Sequence, residues 1–400
     1  MSQSKSLDIA LFGATGYTGN LVAEYLAKAA QKRPLRWALA GRNRHKLEAL
    51  REELGRAHPG MGDVELAFAD SGDEASLRAL AGRAKVIITT VGPYAKYGEL
   101  LVKACAEVGA DYVDLTGEPA FVEAMIERYH ALAEQRGVKI VHACGFDSIP
   151  HDLGAYFTLK ALRARMTEAE RATAPVQIEG FVRASGSFSG GTWHSAVHGM
   201  ANLRADEKAR KSRVRPAQDE QRKVHNARPA GFFRKELGLW VLPMPTIDPQ
   251  IVLRSARSLP EYGPDFSYAH YLGLRHAYQA VLLTLGVGSV FALAQFQPTR
   301  SLLLKLRDSG EGPDAKKREK SWFKVTFLGK AGQHRVRCQV SGGDPGYGET
   351  AKMLAEAALC LAFDRERLPL HYGIVTSAAG MGEPLMERLI AAGISFTQLP

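Results

Sequence analysis

Residues 7–12 read Leu-Asp-Ile-Ala-Leu-Phe, an apolar run that stops at Gly13. Residues 20–30 then set Leu21, Val22, Tyr25, Leu26 and Ala29 on one side of a helical period. The alternation continues. Residues 36–40 form a second apolar run, and 45–54 a charged amphipathic stretch. Runs at 64–69, 86–91, 112–115 and 139–143 complete a series of strands separated by helical segments. Strands divided by helices of ten or more residues pair in parallel, so residues 1–145 predict a doubly wound α/β sheet.

The rhythm changes after Pro150. A helical pattern over 152–165 leads to Pro175 and a strand at 176–184, followed by the Gly/Ser-rich segment 186–192. Residues 241–264 are rich in proline. Two β-like runs, 324–328 and 334–340, are joined by Gly-Lys-Ala-Gly-Gln and predict an antiparallel ribbon. A helix over 350–362 follows. The division predicted is 1–148 for the first domain, 149–345 for a mixed α+β domain, and 346–400 for a helix and tail packing back on the first. From Ala277 to Thr299 there are 23 residues without Asp, Glu, Lys or Arg. That length just spans a bilayer, but internal glutamines and two central glycines favour a buried or interface helix, ahead of one facing lipid or an acyl chain.

Composition narrows the class. Of 400 residues 46% are hydrophobic and 24% charged, the balance of a globular protein. Cys105, Cys144, Cys338 and Cys360 lie far apart, with no zinc spacing and no disulfide framework, which fits a reducing cytoplasm. The N-terminus runs directly into the first strand, so no secretory signal is expected and the localisation read is cytoplasmic. The net charge is +10. Eleven basic against four acidic residues fall in 204–235, a stretch suited to an acidic carrier or a phospholipid surface. Nucleic acid is not expected, since no zinc finger or RNP-type motif accompanies the charge.

The strongest local signal is Gly13-Ala14-Thr15-Gly16-Tyr17-Thr18-Gly19, which follows a strand and opens a helix. In that context glycines let the backbone approach a pyrophosphate, whose charge sits on the N–H groups of the helix start. The fold class is therefore a Rossmann-type doubly wound parallel sheet with a second mixed α+β domain. The second strand ends Gly41-Arg42-Asn43-Arg44-His45-Lys46, without the acid that would hold free ribose hydroxyls. Guanidinium binds a 2′-phosphate that carboxylate would repel, so NADP(H) is expected, with Gly41, Arg42, Arg44 and Lys46 at the phosphate. Asp70, at the end of the third strand, is a candidate contact to the adenine.

Ligands of open parallel sheets lie outside the carboxyl ends of the strands. Val91-Gly92-Pro93-Tyr94, residues 114–118 and residues 144–152 should thus surround the nicotinamide. Tyr94, Asp147, Ser148 and His151 are the available proton carriers there, and Asp147 or Ser148 alternatively caps the helix that follows. No GxSxG, P-loop or HExxH motif occurs, and the pair Tyr156/Lys160 is uninformative at chance frequency.

GATGYTG, LAGRN, VGPYAKYG, YVDLTGE, GFDSIPHDLG, SGGTWHS, DPGYGETAKM and TSAAGMGEPLMERLIAAGISF occur in order along nearly the whole chain. Together they resemble the saccharopine dehydrogenase-like oxidoreductases, in particular the trans-acting enoyl reductase branch. The resemblance implies an NADPH-dependent enzyme that reduces the double bond of an acyl or polyketide thioester held on a carrier, in lipid or glycolipid synthesis, with peripheral membrane contact. It carries Gly13, Gly16, Gly19 and Arg42 over as cofactor positions and the 145–154 and 190–195 stretches as substrate-site motifs. On that reading hydride goes to the β-carbon, backbone donors near Gly92 or Gly145 hold the enolate, and Tyr94, Ser148, His151 or water protonates the α-carbon. Two alternatives stay open: C–N chemistry of the saccharopine reductase type, and a non-catalytic NADP(H)-binding sensor or scaffold. A homo-oligomer also stays open.

Overall fold

The computed structural model describes residues 5–185, 197, 200–201, 222–227, 232–244, 246–306 and 318–400. Two compact units emerge. The first comprises Met1–Ile149 with Tyr347–Ala392, the second Pro150–Gly346 with Gly393–Pro400.

In the first unit the chain runs β1 (Leu7–Phe12), α1 (Tyr17–Ala30), β2 (Trp37–Gly41), α2 (Arg44–Ala57), β3 (Glu65–Phe68), α3 (Glu74–Arg83), β4 (Ala84–Thr89), α4 (Tyr94–Tyr97), α5 (Glu99–Val108), β5 (Asp111–Val113), α6 (Pro119–Gln135) and β6 (Lys139–Val141). Every residue of β1 and β2 is buried, the mark of a parallel strand covered on both faces. The sheet order is β14-β6-β5-β4-β1-β2-β3 and all pairings are parallel. The seventh strand, β14 (Gly373–Val375), is too short for an alternation to announce it. The helix expected at 350–362 spans Gly348–Phe363 and packs on α1, β4 and β5.

The second unit contains α7 (Ile149–Arg163, whose first residue lies in the first unit), α8 (Glu168–Thr173), β7 (Val176–Ser185), β8 (Lys223–Asn226), β9 (Phe233–Arg234), β10 (Leu239–Pro243), α9 (Asp248–Ser258), β11 (Asp265–Leu274), α10 (Ala277–Ala294), α11 (Gln297–Lys305), β12 (Trp322–Ala331) and β13 (His334–Gly342). Its mixed sheet has the order β15-β13-β12-β7-β11-β10-β9, with β8 also pairing β11. The ribbon expected from sequence is the β12–β13 hairpin, in register from Phe323 with Gly342 to Ala331 with His334. The rest of the chain is α12 (Gly348–Phe363), β14, α13 (Ser377–Gly380), α14 (Gly382–Ala391) and β15 (Ser395–Leu399).

Two expectations need correction. The tail was expected on the first domain throughout 346–400, but β15 pairs antiparallel with β13 and belongs to the second unit. An unpaired edge of β13 would leave a row of backbone donors and acceptors open, and the last strand covers it. Of the buried or interface helix expected over the apolar segment, the buried form is excluded. Leu282 and Leu285 on α10 are each 63% exposed, and only Ala294 at its end is buried. Apolarity on all sides says that a helix wants cover, not what supplies it.

Candidate functional site: the carboxyl edge of the parallel sheet

The glycine loop sits at the carboxyl end of β1, and two of its glycines are sterically required. Gly13 has φ +87°, and a Cβ there would come within 2.7 Å of the Val91 side chain. A Cβ on Gly19 would fall 2.1 Å from the Gly13 carbonyl oxygen and 2.8 Å from that of Ala14. So α1 starts as close to the loop as backbone allows. Ala14 and Gly19 are buried, Thr15, Tyr17 and Thr18 partly exposed, and Gly16 exposed. Gly16 is the N-cap of α1, with no side-chain cap and no acid in the first turn. The first N–H groups of the helix therefore remain available to an anion.

The end of β2 adds cations. Arg42, Arg44 and Lys46 are exposed and Gly41 is buried. The Asn43 side chain accepts from Lys46 N at 3.0 Å and caps α2, while the Arg44 guanidinium lies 4.3 Å from the Phe68 ring centroid. Asp70 uses Oδ1 to accept from Gly72 N at 2.8 Å, closing the turn after β3. These features fit NADP(H): a cradle that a Cβ would fill, an uncapped helix start, and arginines where a 2′-phosphate would be held.

The loops after β4, β5 and β6 gather beside it. Thr90 Oγ1 donates to the Gly13 carbonyl at 3.0 Å, tying Val91-Gly92-Pro93 to the glycine loop. Glu118 accepts from Tyr94 N at 2.9 Å and Ala95 N at 2.8 Å, so its carboxylate caps α4. Asp114 is fully buried. It accepts from the Tyr112 hydroxyl at 2.9 Å, from Thr116 N at 3.0 Å and from Ala143 N at 2.9 Å, and its Oδ2 lies 2.6 Å from His142 Nδ1. One carboxylate thereby joins the loops after β5 and β6. Ala143, with φ 59°, takes a backbone conformation rare for a side-chain-bearing residue.

A contribution missed by sequence reasoning comes from the start of α12. Phe146 N donates to Thr350 Oγ1 at 3.1 Å, and the Tyr347 ring packs edge-on against Tyr17 at 4.7 Å. Tyr347 and Thr350 belong to the DPGYGETAKM segment, whose helix is expected on the first domain but without a part in the cofactor edge. Distance in sequence hid it.

The candidate proton carriers separate. Tyr94 is buried, its hydroxyl donating to the Thr89 carbonyl and accepting from Leu115 N, each at 3.2 Å. Burial, with Asp114 nearby, pushes its phenol well above the usual range. The ring is a strut between two loops, its hydroxyl already carrying one donor and one acceptor bond. Asp147 is exposed and reaches the 114–118 loop, its Oδ2 being 3.5 Å from where a Gly117 Cβ would stand. Ser148 is 1% exposed and its hydroxyl has no hydrogen-bond partner among the described residues, so it caps no helix. His151 is 2% exposed and is held within the second unit, Nδ1 lying 2.8 Å from Asp248 Oδ1. The imidazole thus faces a buried carboxylate rather than a solvent-facing loop.

Other sequence expectations fall elsewhere. The 190–195 motif lies outside the described residues, as does most of the basic 204–235 stretch. In the described part, Arg222 donates to the carbonyls of Ala256, Arg257, Leu259 and Gly263, and Arg234 pairs with Glu179. Those two cations are structural.

A parallel sheet in this order, with a glycine loop and a basic second-strand end, defines a dinucleotide-binding domain. Residues 9–141 match the saccharopine dehydrogenase NADP-binding domain. The trans-acting enoyl reductase of Mycobacterium tuberculosis is 34% identical, over 98% of this chain and 97% of its own length. A saccharopine dehydrogenase-like oxidoreductase of Rattus norvegicus is 31% identical, over 99% of this chain and 98% of its own. The apo saccharopine dehydrogenase (L-Glu forming) from Saccharomyces cerevisiae shares the fold, with TM-score 0.54 and 12% identity over 98% of this chain and 100% of that one. The chain belongs to the saccharopine dehydrogenase-like oxidoreductases and is an NADP-dependent oxidoreductase.

Proposed function

We propose that the protein reduces the carbon–carbon double bond of an α,β-unsaturated acyl thioester, carried on a synthase or carrier protein, in lipid or glycolipid synthesis. The full-length likeness to proteins named trans-acting enoyl reductases carries this reading, because it runs through the second unit and not only the cofactor domain. Bound NADPH supplies the hydride. Gly13, Gly16 and Gly19 let the backbone hold the pyrophosphate, and Arg42 with Arg44 holds the 2′-phosphate. Ser148, whose buried hydroxyl has no hydrogen-bond partner among the described residues, is the residue we assign to pass the proton to the α-carbon. The test gives the protein NADPH deuterated at C4 with a panel of 2-enoyl thioesters. Deuterium at the β-carbon of the saturated product is the expected result, with Ser148→Ala lowering kcat and leaving NADPH affinity unchanged. If NADPH binds and no thioester is labelled, the enoyl reading fails and imine substrates or a cofactor-binding sensor replace it.

The protein works in the cytoplasm at a membrane surface on this reading, and α10 supports it. Tyr278, Val281, Leu282 and Leu285 are exposed there, joined by Phe296 just beyond the helix and Leu302 and Leu306 at α11. Exposed large apolar side chains gathered on one helix pair mark a binding surface, and each one buried in lipid contributes roughly 1.5–3 kcal/mol. Leu282→Glu with Leu285→Glu should abolish co-flotation with phosphatidylglycerol-containing vesicles and leave Tm unchanged. Flotation retained by that variant excludes α10 as the contact.

A further inference from the structure

Three side chains distant in sequence meet inside the second unit. His151 comes from the first turn of α7, Asp248 from the start of α9 and His270 from the middle of β11. All are buried, at 2%, 2% and 5% exposure. One donor atom from each lies within 4.8 Å of the others. Asp248 turns one oxygen to each imidazole: Oδ1 is 2.8 Å from His151 Nδ1 and Oδ2 is 3.6 Å from His270 Nε2. The second distance is too long for a hydrogen bond, and His270 Nε2 is buried with no partner among the described residues.

We propose that His151, Asp248 and His270 bind a divalent transition-metal ion of the zinc class. Two imidazoles and a carboxylate are a donor set that such ions take, with a fourth position left for water or another ligand. Bonds of about 2.0–2.1 Å at tetrahedral angles set donor atoms roughly 3.3 Å apart, the scale of the separations found here. The outer groups fit as well. His270 Nδ1 lies 3.1 Å from the Tyr268 hydroxyl, and with Nδ1–H donating to that oxygen the Nε2 lone pair faces Asp248. The Thr246 hydroxyl donates to Asp248. Gly180 on β7 leaves the room for this shell, since a Cβ there would stand 2.5 Å from the Tyr268 hydroxyl. The ion ties α7, α9 and β11 together and satisfies a buried nitrogen that is otherwise costly to leave unpaired.

The full-length protein, treated with chelator and dialysed, is titrated with Zn²⁺ by calorimetry and with Co²⁺ by visible absorption. We expect saturable uptake of about one ion per chain, cobalt d–d bands of a low-coordinate N/O site, and a Tm that rises with Zn²⁺. Asp248→Asn and His270→Ala should each weaken Zn²⁺ binding about 100-fold or more, and Tyr268→Phe about 10-fold. If the ligand variants fail to fold, the wild-type cobalt spectrum and Tyr268→Phe decide. Absence of saturable uptake by the wild-type chain, or uptake that none of these variants alters, overturns the proposal and leaves a buried His–Asp–His cluster that holds no ion.

Discussion

The carboxyl edge of the parallel sheet and the buried cluster of the second unit are built from different materials. The first is made of backbone: uncapped N–H groups, glycines that admit no Cβ, and loops pinned by Asp114 and Glu118. The second is made of side chains from residues 151, 248 and 270, in a core where burial pushes the His270 imidazole down to about 4, with His151 adding to that and Asp248 opposing it. Asp248 is held below the usual carboxylate range despite its burial, because His151, His270 and Thr246 favour its charge. A site of backbone tolerates change in what surrounds it but not in its own glycines. A site of side chains depends on three distant segments keeping their places.

That contrast can be broken by substitution. The largest effect should come from Gly19→Val, whose Cβ would overlap the Gly13 carbonyl. Loss of several kcal/mol and of measurable NADPH binding is expected from denaturation and fluorescence titration; a stable, cofactor-binding variant would show that the loop is not backbone-limited. Arg42→Glu should come next, lowering NADPH affinity about 10- to 100-fold and leaving NADH affinity unchanged. Equal loss for both cofactors would move the 2′-phosphate contact elsewhere.

Tyr94→Phe removes a strut, leaving Leu115 N unpaired. It should cost about 1–3 kcal/mol of stability and leave kcat within a few-fold of wild type. A hundredfold fall in kcat at unchanged stability would return Tyr94 to the proton path. The smallest effect lies at the opposite edge of the same sheet. Burial opposes the charge of Asp8, yet Arg36 at 3.0 Å and Lys85 at 2.9 Å hold its carboxyl down to about 2. A depressed carboxylate contributes stability that is present above its unfolded value near 3.9 and is lost as pH falls toward 2. Asp8→Asn should therefore flatten the stability profile between about pH 4 and 2. The difference should be about 1 kcal/mol, since both partners are half exposed and screened by solvent. Parallel profiles for the two proteins would remove Asp8 from the acid transition.

Six of the seven strands of the first sheet were legible because short, largely apolar runs between amphipathic helices mark parallel strands, and the glycine loop because only glycine meets its steric demand. β14, three residues long, carried no such pattern. Tyr94 and His151 were read as proton carriers by residue type. No spacing disclosed their neighbours, the Thr89 carbonyl and Leu115 N–H for one and Asp248 for the other.

By itself the sequence determined the parallel α/β sheet, the phosphate loop, the preference for NADP(H) and the β12–β13 hairpin. Each follows from contacts within a few residues or from a repeat along the chain. Only the tertiary structure decided that α10 stands exposed, that β15 closes the second sheet, that Tyr347 and Thr350 join the nucleotide edge, and that His151, Asp248 and His270 meet. Those outcomes depend on which distant segments pack together, and burial and pairing are properties of the folded surface rather than of any local pattern.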